Sequence, residues 1–99
     1  MTITKNSDGK NLQIALEGRL DTTTAPQLEN EIKSSIDGVT ELDFDFTDLA
    51  YISSAGLRVL LSTQKIMNKQ GKMTIRNANA DILDVFEVTG FIDILNVEA

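Results

Sequence analysis

The sequence has 99 residues, of which 41% are hydrophobic and 24% charged, with a formal net charge of -6. We expect one soluble domain spanning residues 1–99, because this length supports a single hydrophobic core. The acidic balance disfavours direct contact with nucleic acid. The lack of a long apolar stretch or signal-peptide core predicts a cytoplasmic protein without membrane insertion.

Histidine and cysteine are both absent from the chain. A Ser-His-Asp triad, a Cys-His pair and a typical zinc site are therefore excluded within it. Asp43, Asp45 and Asp48 offer oxygen donors of the kind that bind magnesium or calcium, but the glycine and glutamate of a calcium loop are missing. No glycine-rich phosphate loop is present. We expect a protein that is not an enzyme and that holds neither a metal nor a cofactor.

The first part of the chain predicts a β-hairpin. Ile3 is the clearly apolar residue of a short edge strand at residues 2–7, and residues 8–11 have the composition of a turn. Apolar residues then recur at every second position, which is the period of a strand with one buried face. These residues are Leu12, Ile14 and Leu16.

A helix is predicted at residues 25–36. Thr24 and Gln27 have the spacing of a capping box, and Pro26 is tolerated in a first helical turn. The apolar stripe of this helix contains Leu28, Ile32 and Ile36, and Gly38 follows as its stop.

The next strand, at residues 40–46, is apolar on one face and acidic on the other. Its apolar residues are Leu42, Phe44 and Phe46. Asp43 and Asp45 alternate with them, and a strand covered by helices on both faces would not easily bury two carboxylates. We therefore expect the helices to cover mainly one face of the sheet.

A second helix is predicted from Gly56 to about Lys69. Its core face should contain Leu57, Leu60, Leu61 and Met67, widened by Val59 and Ile66. The opposite arc contains Arg58, Ser62, Lys65 and Lys69, and Ser54 projects onto the edge of that arc. A basic stripe thus begins beside a pair of serines in an otherwise acidic protein.

The remaining chain predicts a short strand at residues 73–76 and a third helix between Asn79, as N-cap, and Gly90. The apolar tail that begins at Phe91 should pack as a turn and a final strand. The order is β-β-α-β-α-β-α plus a C-terminal tail. It favours a small α/β sandwich with a mixed sheet of four to five strands.

Ser53 and Ser54 stand where the acidic strand gives way to the second helix. A serine there can act as an N-cap, and a helix N-terminus also tolerates a phosphate. A hydrolase nucleophile is disfavoured, because Ile52 replaces the first glycine of G-x-S-x-G and no histidine base exists. The residues alone leave a helix cap and a phosphorylation site as alternatives.

The run from Asp45 to Leu57 resembles the signature of STAS domains, the bacterial anti-sigma factor antagonists, and Gly18-Arg19-Leu20-Asp21 followed by Ala25 resembles a second block of that family. The resemblance covers essentially the whole chain. It implies a STAS-like sandwich and a role in transcription regulation through protein–protein interaction. It also implies that the serine two places before Gly56, which is Ser54, is phosphorylated by an anti-sigma factor that is an ATP-dependent serine kinase.

The resemblance further implies that the unphosphorylated form binds this kinase and releases sigma factor. Phosphorylation would abolish binding, and a serine phosphatase would restore it. Asp21 would lie near the serine. The sequence departs from the family pattern at Ser53, where an aspartate is usual, and at Ala55, where a second hydroxyl is usual, so Ser53 is a competing site.

The predicted partner-binding residues are Asp21, Ser53, Ser54, Gly56, Arg58, Ser62 and Lys65, with Lys69 at the far end of the stripe. We expect a monomer or a weak dimer. The alternative function is a STAS subunit of a membrane transport assembly, which braces an ATPase without a phosphorylation cycle.

Overall fold

The computed structural model describes residues 1–98, which form five strands, three α-helices and a short 3₁₀ helix. They are β1 (Thr2–Asp8), β2 (Asn11–Leu20), α1 (Ala25–Ser35), β3 (Glu41–Ile52), α2 (Ser54–Gln70), β4 (Lys72–Arg76), α3 (Ala80–Thr89), the 3₁₀ helix (Phe91–Asp93) and β5 (Val97–Glu98). The predicted order is confirmed, and the tail forms a turn and a short strand. Within residues 1–98 no helix is both long enough and apolar enough to cross a membrane.

The five strands form one mixed sheet in the order β1-β2-β3-β4-β5. β1 is antiparallel to β2, and every other neighbouring pair is parallel. Each of the three strand–helix–strand connections moves one place in the same direction across the sheet. Because such connections are almost always right-handed, all three helices lie on one face. The predicted α/β class is confirmed.

β3 continues six residues beyond the predicted end at Phe46. The alternation of buried and exposed residues stops at Phe46 because two bulges interrupt the pairing of β3 with β2. Asp45 to Asp48 on β3 lies opposite Ala15 to Glu17, and Leu49 to Tyr51 lies opposite Gly18 to Arg19. Each bulge adds one residue to β3 and so exchanges the two faces of the strand. The buried residues therefore change from alternate spacing to a spacing of three: Leu42, Phe44, Phe46, Leu49 and Ile52.

The second face of the sheet is polar, as predicted. Arg76 lies 3.8 Å from a carboxylate oxygen of Asp43 and 2.8 Å from one of Glu98. Asp45 accepts hydrogen bonds from the hydroxyl of Thr47 at 2.6 Å and from the amide of Asn77 at 3.1 Å. These bonds hold the pKa of Asp45 below its ordinary value, and the bond from the Thr47 side chain has the largest effect. Asp43 and Asp45 thus interact with neighbouring protein groups.

The capping box predicted for α1 is wrong. Thr24 occupies the N-cap position, but its side chain makes no capping bond within the described part of the chain. Its hydroxyl instead donates to the carbonyl of Arg19 at 2.7 Å and accepts from the N–H of Asp21 at 2.9 Å. The hydroxyl is therefore used to close the turn between β2 and α1.

The core face of α2 differs from the predicted one on one side. Thr63 and Gln64 are buried, whereas Leu61 is half-buried and Ile66 is 39% exposed. Thr63 can be buried because its hydroxyl donates to the carbonyl of Val59 at 2.7 Å. Ile66 is exposed because a cleft separates α2 from α1 at this point.

Candidate functional site

The candidate site lies where β2 and β3 end side by side. Leu20 pairs with Ile52 in the parallel register, and the N–H of Ser53 donates to the carbonyl of Leu20 at 2.9 Å. Asp21 and Ser53 therefore follow neighbouring strands at the same edge of the sheet. The structure places the acidic residue and the serine pair together, although 32 positions separate Asp21 from Ser53 in the sequence.

The two serines occupy different structural positions. Ser53 is the N-cap of α2, with extended backbone angles, and its hydroxyl oxygen accepts from the N–H of Gly56 at 3.4 Å. Ser54 is the first residue of the helix and is exposed. Within residues 1–98 the Ser54 hydroxyl forms no hydrogen bond, so it is the accessible hydroxyl of the pair.

Gly56 brings the start of α2 into direct contact with the sheet. A Cβ atom at this position would lie 2.7 Å from Cγ of Leu20 and 2.9 Å from Cγ1 of Ile52. Gly56 is buried. Although it was predicted among the partner-binding residues, it lies beneath the surface and supports the serines through packing.

Asp21 is fixed by the turn that precedes α1. One of its carboxylate oxygens accepts from the backbone N–H of Thr24 at 3.1 Å and from that of Thr23 at 3.0 Å. The pKa of Asp21 lies below its ordinary value, and the bond from Thr24 is the main cause. The bond from Thr23 and the positive charge of Arg19 lower this pKa further. The carboxylate is therefore ionised at neutral pH, at the edge that carries the serines.

Arg19 and Tyr51 form a further pair at this edge that the sequence analysis missed. The guanidinium of Arg19 lies 4.2 Å from the centre of the Tyr51 ring, and its Nε lies 3.7 Å from a carboxylate oxygen of Asp21. Tyr51 is 41% exposed. The pair forms because the second β3 bulge places Tyr51 opposite Arg19. Arginine and tyrosine are common at the energetic centres of interfaces.

The predicted basic stripe on α2 is present, and all four of its residues are exposed: Arg58, Ser62, Lys65 and Lys69. We use the name basic stripe for these four residues. None of its three cations takes part in an ion pair within residues 1–98, whereas Lys5 and Lys33 do. The first turn of α2 contains no acidic residue. Positive charge thus extends from the helix start beside Ser54 along one face of the protein.

The structure is a small mixed sheet that three helices cover on one face, with an exposed serine at the start of the second helix. Comparisons with known proteins assign the chain to a family. The chain belongs to the STAS domain family, whose profile matches residues 2–99. It is 34% identical over 99 residues to BtrV of Bordetella bronchiseptica, which carries the name anti-sigma factor antagonist, with 98% of this chain and 85% of that protein covered.

Two Bacillus proteins are also similar. The chain is 28% identical over 89 residues to the anti-sigma-B factor antagonist of Bacillus subtilis, with 89% of this chain and 82% of that protein covered. The structure of the anti-sigma factor antagonist SpoIIAA in its unphosphorylated form matches with a TM-score of 0.78 at 19% identity, over 99% of this chain and 88% of that one. Its phosphorylated form gives a TM-score of 0.77 at 20% identity, over 99% and 92%. At these identities the two SpoIIAA structures establish the fold.

Proposed function

We propose that this chain is a bacterial anti-sigma factor antagonist that is controlled by phosphorylation. Its unphosphorylated form binds an anti-sigma factor serine kinase in the cytoplasm and so releases sigma factor. Phosphorylation of Ser54 ends that binding, and a serine phosphatase restores it. The proposal is supported by the names of the curated relatives and by the solved structure of a phosphorylated family member.

The observation that carries the proposal is the difference between the two serine hydroxyls. The Ser53 oxygen caps α2 through the N–H of Gly56. Phosphorylation of Ser53 would disturb that cap. The Ser54 hydroxyl is exposed and is not needed for the fold, so a kinase can reach it without opening the helix. We therefore assign Ser54 as the phosphorylated residue, with Ser53 as the second choice.

The fold should tolerate a phosphate on Ser54. The modification adds a charge of about −1.5 to −2. Unpaired N–H groups and the helix dipole favour an anion at this position, and the first turn of α2 has no carboxylate to repel it. The switch therefore does not work by unfolding the domain. Its effect falls on the surface that Ser54 shares with a partner.

Charge explains how one phosphate can end binding. The basic stripe is suited to an acidic surface on the kinase, since complementary charge guides the encounter. A phosphate on Ser54, at the head of that stripe, would face the carboxylates of this acidic kinase surface. Two like unit charges 4 Å apart repel by about 4 kcal/mol near a protein surface, and about 1.4 kcal/mol is a tenfold change in affinity. The added charge is thus large enough to abolish a micromolar interaction.

A binding titration tests the proposal. The purified anti-sigma factor kinase from the same genome, loaded with ADP to prevent turnover, is titrated by calorimetry with the unphosphorylated chain and with the stoichiometrically phosphorylated chain. We expect saturable binding by the first and none by the second at micromolar concentration. Equal affinity of the two forms would refute the switch.

A further inference from the structure

The helical face of the protein has a cleft between α1 and α2 that the two helices do not fill. It measures about 170 Å³. Ile32 of α1 and Val59 of α2 line it as buried residues, and Ile66 lies at its margin with 39% of its surface exposed. Large apolar side chains exposed in a groove mark interaction sites more often than those scattered singly.

The cleft is lined by apolar side chains, two of them buried, together with the exposed polar residues Lys33 and Ser62. Thr63 lines it, but the Thr63 hydroxyl already donates to the carbonyl of Val59 at 2.7 Å. A polar group placed against the apolar side chains of the cleft would lose its hydrogen bonds to water without replacement. A cavity of about 150 Å³ accommodates a benzene molecule, so the cleft has room for one large apolar side chain.

The cleft is continuous with the surface around Ser54. Ser62 lines both this cleft and a second one, of about 340 Å³, that Ala55 and Arg58 also line. The groove formed by the two clefts, which we call the α1–α2 groove, therefore starts one residue from Ser54 and runs beside the basic stripe.

The charges at the edge of the α1–α2 groove are unbalanced. On α1, Lys33 lies 3.0 Å from the carboxylate of Glu29, so these two charges offset each other. On α2, Arg58 has no ion pair within residues 1–98, and neither has Lys65 of the same exposed face. A partner segment that enters the groove thus meets net positive charge beside an apolar pocket.

We propose that the α1–α2 groove is the anchor site for the partner that the basic stripe attracts. Its occupant is an apolar side chain of the anti-sigma factor kinase, carried on a segment whose neighbouring residues are acidic. This inference rests on the proposed function. It extends the interface from a charged stripe on one helix to a pocket between two helices. Burial of one side chain in such a pocket is the usual source of binding energy, whereas exposed charges contribute mainly to the encounter rate.

Two variants test the anchor site in different ways. Ser62→Trp fills the groove from an exposed position, and Ile66→Ser removes its apolar margin without changing any charge of the stripe. Matched controls on α3 are Asp84→Trp, at an exposed position, and Val88→Ser, where the valine is 88% exposed. The affinity of each variant for the ADP-loaded kinase is measured by calorimetry, and its fold is checked by circular dichroism and thermal unfolding.

We expect both groove variants to weaken binding at least tenfold and both controls to stay within about twofold of the wild type. If the wild-type chain binds the kinase and both Ile66→Ser and Ser62→Trp bind it with the same affinity, the anchor site is overturned and the proposed function stands. Absence of binding by the wild-type chain would overturn both. Self-association that Ser62→Trp abolishes, with the affinity for the kinase unchanged, would assign the groove to a second copy of this chain and contradict the proposal.

Discussion

Ser53 and Gly56 are joined across the first turn of α2 by a hydrogen bond of 3.4 Å, in which the glycine N–H donates to the serine hydroxyl. This bond gives the two adjacent serines separate tasks. Ser53 helps to begin the helix, whereas Ser54 presents an exposed hydroxyl on the surface. Because the capping bond and the proposed phosphorylation involve different residues, a mutation can remove one without the other.

Removing the cap should cost stability, whereas removing the proposed phosphorylation site should not. We expect Ser53→Ala to lower the free energy of unfolding by about 0.5–1 kcal/mol, the lower half of the range for N-caps, because the bond is long. Ser54→Ala should change it by less than about 0.5 kcal/mol. Urea denaturation followed by circular dichroism measures both. A larger loss in Ser54→Ala than in Ser53→Ala would contradict the assignment of the cap, and Ser53→Asp, which retains an acceptor, serves as the control.

Gly56→Ala should destabilise the domain although alanine is the better helix former. Alanine gains about 1 kcal/mol over glycine in a helix interior. The added methyl group would, however, lie 2.7 Å from Leu20 and 2.9 Å from Ile52, both in the core. We expect a net loss of about 1–3 kcal/mol, measured by urea denaturation.

Gly90→Ala is the matched control for this change. Gly90 has a φ of +79°, and among the residues that the structure describes none lies within 4 Å of the added Cβ. Backbone strain of about 1–2 kcal/mol therefore opposes alanine there. A double variant with Leu20→Ala should recover part of the loss at Gly56 and none at Gly90. Stabilisation by Gly56→Ala would show that α2 does not pack against the sheet as described.

Charge reversal along the basic stripe should weaken partner binding in order of closeness to Ser54. We expect Arg58→Glu and Lys65→Glu each to lower the affinity for the kinase about tenfold and Lys69→Glu to lower it less, with smaller effects at high salt. Lys10→Glu, in the turn between β1 and β2, makes the same change of charge elsewhere. Calorimetric titrations at two salt concentrations provide the measurement. Unchanged affinity in both Arg58→Glu and Lys65→Glu would discard the stripe as a binding surface.

Asp21 should contribute stability that disappears in acid. The N–H of Thr24, followed by that of Thr23, favours the ionised carboxylate and lowers the pKa of Asp21 in the folded state. A lowered folded-state pKa stabilises the protein above the unfolded-state pKa, and this gain is lost as the pH falls through the folded-state value. The difference in unfolding free energy between wild type and Asp21→Asn should therefore shrink from about pH 5 to about pH 2. A difference that stays constant over this range, in urea titrations, would contradict this account.

The sequence predicted the elements but not the way in which β3 ends. Alternation from Leu42 to Phe46 indicates a strand directly, because period two is a local property. The two bulges arise from pairing with β2, and pairing register is not visible in a single strand. For that reason the Arg19–Tyr51 contact, which depends on the second bulge, could not be predicted.

The hydrogen-bond and packing partners of individual side chains also could not be predicted from the local sequence. Thr24 has the right type and spacing for a capping box, yet its hydroxyl bonds to Arg19 and Asp21. Ile66 fits the apolar arc of an isolated helix, yet it lies at the cleft between α1 and α2 and is exposed. In contrast, the exposed stripe and the position of Ser54 follow from helical periodicity and are found where the pattern indicates.

The most direct test of the central claim is to map phosphate by mass spectrometry after incubation with the anti-sigma factor kinase and ATP. Wild type, Ser53→Ala and Ser54→Ala are compared under the same conditions. The account predicts one phosphate on Ser54 in wild type and in Ser53→Ala, and none in Ser54→Ala. Phosphate that persists in Ser54→Ala and disappears in Ser53→Ala, or its absence from wild type, would contradict the account.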